Sequence, residues 1–128
     1  MTQSLEDYLE AIYVLKRDAQ AACVRDVALL LNVKMPSVVK ALRELKKLDL
    51  VRQEPYQSIQ LTSKGQRVAK LVLSRHTLLR DFLMQLGVSA KMADKDACLM
   101  EHILSAETLD KIRIYTKSQE NKKHEKSD

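Results

Sequence analysis

The sequence predicts a mainly α-helical protein, a winged helix-turn-helix of three helices plus a β-hairpin wing, followed by a second unit built only of helices. Three observations predict it. Apolar residues recur at helical spacing along most of the chain, two short helical stretches meet at a tight link ahead of Pro36-Ser37, and a segment of alternating residues follows directly. With 2 glycines and 2 prolines among 128 residues, the chain has few places for tight turns and favours long helices.

Taken in order, Ser4 can cap a first helix, with Asp7 at the capping-box distance, and Leu5, Tyr8, Leu9, Ile12, Tyr13 and Leu15 give it an apolar face up to about Asp18. Val24 to Leu31 reads as a short second helix, and Asn32-Val33 as the link. Pro36 stands in the first turn of a third helix, where proline is tolerated, and Val38, Val39, Leu42, Leu45 and Leu48 are expected to form its buried stripe up to Leu48. Leu50 to Glu54 and Ser58 to Leu61 alternate on either side of Pro55-Tyr56-Gln57 and read as a hairpin. Thr62 caps a long fourth helix from Ser63 to Gln85, with Leu71, Leu78, Leu79, Phe82, Leu83 and Leu86 on its apolar side and Gly87 ending it. A fifth helix is expected from Ser89 to Leu104, and a sixth from a Ser105 cap to Thr116. The expected division is 1–62 for the winged unit, 63–117 for the helical unit, and 118–128 for a charged, disordered tail.

The net charge of +5 is unevenly distributed. Residues 1–33 carry 3 basic and 5 acidic groups, residues 34–80 carry 11 basic and 3 acidic, and residues 81–128 carry 8 basic and 9 acidic. Positive charge concentrated on the helix-turn-helix and wing is the footprint of a surface that meets phosphates, although a solvated basic face gives the same count. Aromatic residues make up 4% and there is no tryptophan, so readout of single strands by stacking has little to work with. No apolar run approaches a membrane span and no signal peptide opens the sequence, so a cytoplasmic protein without a membrane partner is expected. Two cysteines 75 positions apart suggest no disulfide framework and fit a reducing compartment.

A helix-turn-helix lays the start of its second helix in the major groove of double-stranded DNA. Lys34, Pro36, Ser37 and Lys40 would then face the duplex, with Arg43 further along and Lys46 and Lys47 nearer the backbone path. Lys64 and Arg67 flank the wing, where they can hold the sugar-phosphate rail. Taken singly, each lysine reads first as a solvated side chain; their joint placement on one motif is what points to DNA.

A second constellation carries metal-ligand chemistry. Asp7 and Glu10 stand i, i+3 on one helix, Cys98, Glu101 and His102 stand i, i+3, i+4 on another, and His76 lies midway along the fourth helix. Each has a plain alternative: a solvated acid pair, a small buried thiol, a histidine packed in the core.

These residues resemble the diphtheria toxin repressor family, and within it the short manganese transport regulator branch. The likeness rests on Ser4-Leu-Glu-Asp-Tyr-Leu-Glu10, Pro36-Ser37-Val38, Ile59-Gln-Leu-Thr-Ser-Lys-Gly65, Arg75-His76 and Glu101-His102-Ile103-Leu104-Ser105, and runs in order from about Ser4 to Leu109. It implies a winged helix-turn-helix followed by a helical dimerisation domain, with metal bound between them. It further implies a principal site from Asp7, Cys98, Glu101 and His102, and a second ion held with Glu10 and His76. The chain departs from both branches. The manganese type has a glutamate where this chain has Cys98, the iron type has a methionine where it has Asp7, and Arg80 replaces a carboxylate that often assists the second ion. The iron-type repressors also carry a third, SH3-like domain, for which no room is expected in these 128 residues.

The resemblance makes Mn²⁺ or Fe²⁺ the expected signal, with Zn²⁺ or Co²⁺ able to substitute in the test tube by the usual affinity order. The expected function is metal-dependent repression from palindromic operator DNA, as a homodimer, at metal-ion uptake genes, with no catalytic residue and no small-molecule substrate. One alternative is a metal-independent winged-helix regulator that responds to a small molecule or to thiol oxidation at Cys23 or Cys98. Another is a cysteine-dependent enzyme using Cys98 with His76 or His102, for which the sequence offers no glycine-rich oxyanion or phosphate loop.

Overall fold

The computed structural model describes residues 1–54 and 57–126, which divide into two compact units, Met1–Val72 and Leu73–Asp128. The element order is α1 (Gln3–Ala19), α2 (Val24–Leu31), α3 (Met35–Lys47), β1 (Val51–Arg52), β2 (Gln60–Leu61), α4 (Ser63–Gln85), α5 (Ala90–Met100) and α6 (Ala106–Lys126). The boundary between the units falls inside α4.

In the first unit, α1 begins two residues earlier than the capping pattern suggested. Thr2, not Ser4, supplies the cap, its hydroxyl accepting from the Leu5 amide at 3.2 Å. Leu9, Ile12, Val27, Val38, Leu45 and Ile59 are fully buried at the centre of the core these helices share. Cys23 and Asp26 close the start of α2 reciprocally: the Cys23 thiol and amide both donate to Asp26 Oδ2, at 2.9 and 3.3 Å. These two bonds, the thiol's first, hold the Asp26 carboxyl below the usual carboxylate range. Asn32 ends α2 in the left-handed conformation, φ 54°, and Val33 N–H returns to the Ala28 carbonyl at 3.0 Å, so the chain turns sharply into α3.

The expected stripe on α3 is narrower than the sequence suggested. Val38, Ala41, Leu42 and Leu45 are buried, whereas Val39 and Leu48 are exposed. The buried stripe runs through Val38, Ala41, Leu42 and Leu45, and Val39, about 100° round the helix from Val38, falls beyond its edge. The wing is a two-stranded antiparallel ladder pairing Val51 with Leu61 and Arg52 with Gln60, shorter than the alternating segments. Of the turn expected at Pro55-Tyr56-Gln57, Pro55 and Tyr56 lie outside the described residues. The base of the wing is tied to the loop before α2. Ile59 N–H donates to the Ala22 carbonyl at 2.8 Å, and the Ser58 hydroxyl accepts from Ala22 N–H at 3.0 Å. Thr62 caps α4, accepting from Gly65 N–H at 2.9 Å while donating to the Asp49 carbonyl at 2.6 Å.

The second unit holds the rest of α4 with α5 and α6, around buried Leu79, Ala97 and Leu109. Phe82 and Tyr115 meet edge to face, ring centres 6.0 Å apart. Gly87, at φ 101°, adopts the left-handed turn that ends α4. The Ser89 hydroxyl accepts from Met92 N–H and caps α5, which stops at Met100 rather than Leu104. The Ser105 hydroxyl accepts from Thr108 N–H at 3.2 Å and opens α6 as expected. The segment 118–126, read from its polarity as a frayed tail, continues α6 instead. It has no glycine or proline, and its lysines, glutamates and glutamine are good helix formers.

Candidate functional site

Two surfaces gather the chemistry, one in each unit. In the second unit, α4 presents His76, α5 presents Cys98 from its last turn, and the residues that follow present Glu101 and His102. Glu101 keeps helical dihedrals (φ −59°, ψ −23°) although it lies past the end of α5, so the i, i+3 relation to Cys98 survives the change in helix length. One ligand atom each from His76, Cys98 and Glu101 lies within 4.8 Å of the others. Glu101 is fully buried, with Oε1 at 3.3 Å from His102 Nε2 and Oε2 at 3.7 Å from His76 Nδ1. His76 Nε2 in turn meets Asp94 Oδ1 at 2.7 Å.

The donor set fits a divalent transition metal. An ionised carboxylate this deeply buried is costly without a compensating partner, and a cation beside it can supply that compensation. Imidazole nitrogen, thiolate sulfur and carboxylate oxygen together span the middle of the first-row series. Cys98 is solvent-exposed, so the small buried residue that was one reading of it is not what the fold contains. Asp7 and Glu10 lie in the first unit, both half-buried on α1. Arg80 is half-buried on α4 and bonds Asp81 at 3.4 Å.

The first unit carries the basic surface. Lys34, Met35, Pro36, Ser37, Val39, Lys40, Arg43, Lys46 and Lys47 are all exposed along α3, opposite its buried face. Lys47 pairs with Glu44 at 3.3 Å, an exposed contact worth little in water. Lys64 and Arg67 are exposed on the first turns of α4, and Lys64 Nζ donates to the Leu48 carbonyl at 3.1 Å, closing the end of α3. Lys64 therefore also has a structural task that its charge alone did not reveal.

Two residues went unnoticed in the sequence. Arg52 is exposed on the wing opposite Gln60, where its position in a basic stretch was the available signal. Asp94, four residues before Cys98, shares the helix face from which the thiol projects. That spacing was legible, but an aspartate on a helix is ordinarily just solvated.

Comparison with known proteins bears on both surfaces. Residues 1–59 match the model of the iron dependent repressor N-terminal DNA binding domain, and residues 62–128 that of the iron dependent repressor metal binding and dimerisation domain. An uncharacterized HTH-type transcriptional regulator of Methanocaldococcus jannaschii is 40% identical over 117 residues, covering 90% of this chain and 94% of its own. The transcriptional regulator MntR of Escherichia coli is 38% identical over 112 residues, covering 88% and 72%. Among solved structures, that of the manganese regulator SloR superposes with a TM-score of 0.78 at 29% identity, over 90% of this chain and 54% of SloR. The chain thus spans about half the length of that structural relative.

Proposed function

The chain belongs to the iron-dependent repressor family, metal-dependent transcription regulators rather than enzymes, and from that premise we propose that it represses metal-uptake genes in the cytoplasm in response to Mn²⁺ or Fe²⁺. The observation that carries the metal reading is the convergence of His76, Cys98 and Glu101 ligand atoms within 4.8 Å, with His102 against the same carboxylate. Asp7 and Glu10 complete the ligand set in this proposal, by their match to the family pattern.

The α3 face supports the DNA reading. In the proposed complex Ser37 and Lys40 enter the major groove, Lys34, Arg43, Lys46 and Lys47 serve the phosphates, Pro36 sets the first turn, and Lys64, Arg67 and Arg52 lie along the backbone beside the wing. Dimerisation has a surface to use in the second unit. Leu86, Ile103, Ile114 and Tyr115 are exposed, and a groove of about 430 Å³ is lined by Phe82, Leu86, Ile112 and Tyr115. A second copy of the chain is its proposed occupant, giving a homodimer on a palindromic operator with half-sites about one helical turn, ~34–36 Å, or a multiple of it apart.

A bound ion supplies positive charge that offsets the repulsion among the clustered acids. The chain's part is to hold the donors, so that ligation favours the DNA-competent population. Typical coupling of this kind amounts to about 1–3 kcal/mol and acts in both directions. The test is calorimetric titration of Mn²⁺ and Fe²⁺ into chelator-stripped protein under anaerobic conditions, paired with operator binding with and without metal. Saturable micromolar binding that tightens operator affinity supports the reading, with one or two ions per chain deciding whether Glu10 and His76 hold a second site. Operator affinity unaffected by chelator would overturn it and leave a metal-independent winged-helix regulator.

A further inference from the structure

The bond between His76 Nε2 and Asp94 Oδ1, at 2.7 Å, is the starting point. An ionised carboxylate can only accept, so the proton of a neutral His76 ring sits on Nε2, and Nδ1 keeps its lone pair. That second nitrogen is buried and has no hydrogen-bond partner among the described residues. It lies 3.7 Å from Glu101 Oε2, in the same group of ligand atoms as Cys98. Two acceptors facing one another at this distance repel unless a cation lies between them. At bond lengths of about 2.0–2.2 Å, one ion can reach both.

We propose that Asp94 is a positioning residue for the metal centre, fixing His76 in the Nε2-protonated tautomer so that Nδ1 is presented to the ion beside Glu101 and Cys98. The proposal rests on the metal-sensing reading above and adds a residue to it. Asp94 stands on α5 and His76 on α4, so the bond also restrains the rotation of the ring. The ring is 12% exposed and Asp94 62%, which makes Asp94 the solvent-side member of the pair and places the free nitrogen on the buried side. Carboxylates that orient metal-binding imidazoles in this way typically account for about 10–100-fold in metal affinity.

The experiment uses the full chain and two independent readouts. In metal-free protein labelled with ¹⁵N-histidine, at a pH where His76 is neutral, nitrogen chemical shifts report the tautomer. Mn²⁺ and Co²⁺ affinities are then measured by competition with a chelator. Wild type should show Nε2–H at His76, Asp94→Ala a mixture of tautomers, and Asp94→Glu a return towards Nε2–H. Affinity should fall about 10–100-fold in Asp94→Ala and recover at least in part in Asp94→Glu, with thermal unfolding unchanged. An Nδ1–H tautomer in wild type, or an Asp94→Ala affinity within about twofold of wild type, would overturn the positioning role while leaving the metal site intact. Wild-type protein that binds neither ion would overturn the metal reading itself, and this proposal with it.

Discussion

The buried carboxylate of Glu101 lies 3.3 Å from Nε2 of His102, a contact between residues adjacent in sequence that places acid and imidazole on one side of the chain just past the end of α5. His76 Nδ1 stands 3.7 Å from the other Glu101 oxygen. Glu101→Gln keeps the shape and removes the charge that draws a cation. Metal-stimulated operator binding is therefore expected to disappear, a loss of about 5–150-fold at saturating metal for a typical coupling. Fluorescence anisotropy with a labelled operator, with and without Mn²⁺, measures it. Full stimulation in the variant would remove Glu101 from the ligand set.

If Cys98 ligates the ion, it should bias which metal is preferred. It is exposed at the rim of the group, so it can be replaced at little cost to the core. A thiolate favours softer ions and a carboxylate harder ones. Cys98→Glu should therefore shift the ratio of Mn²⁺ to Zn²⁺ affinity towards Mn²⁺ by tenfold or more, read by competition titration. An unchanged ratio would mean that the thiol does not ligate.

How much of this could be read beforehand depended on whether the information was local. The turn at Asn32-Val33, the place of Pro36 in the first turn of α3, the start of α5 near Ser89 and the caps at Thr62 and Ser105 are properties of a few consecutive residues, and the sequence showed them. So did the i, i+3, i+4 spacing of Cys98, Glu101 and His102. What it could not show by spacing was that His76, on a different helix, meets Glu101, because that is a tertiary contact; only the family resemblance suggested it. The outward turn of Val39 was hidden by its apolar neighbour Val38. The continuation of α6 to Lys126 was hidden by polarity, which is compatible with a solvated helix as much as with a tail.

Gly65 lies where no side chain fits. A Cβ there would stand 2.0 Å from the Leu50 carbonyl oxygen and 2.9 Å from its carbon, both backbone atoms just ahead of β1. Gly65→Ala must push α4 away from the wing and strain the Thr62 cap. The expected loss is about 1–3 kcal/mol, despite alanine's better helix propensity. Urea unfolding measures it, and a variant as stable as wild type would show that the approach of α4 to Leu50 is loose.

Val39 and Met35, exposed four residues apart on the outer side of α3, offer apolar atoms next to Lys40. In a major groove their natural counterpart is the thymine methyl group. Within an operator obtained by selection from random duplexes, replacing thymine by deoxyuracil at one or more positions should weaken wild-type binding. The same replacement should leave Val39→Ala largely unaffected. Equal losses in both proteins would exclude Val39 from base readout.

Lys40 separates the DNA function from the metal function. It is exposed on α3 one turn after Pro36, and His76, Cys98, Glu101 and His102 belong to the other unit. If it neutralises a phosphate, Lys40→Ala should weaken binding to all duplexes alike and reduce the slope of log affinity against log salt by about 1. If it reaches a base edge, the loss should be about 1–3 kcal/mol at one operator position. In either case calorimetric metal affinity in the absence of DNA should be unchanged, because no ligand has been touched. Unchanged operator affinity would mean that α3 does not read the duplex. A parallel loss of metal affinity in free protein would mean that the two surfaces are not separable.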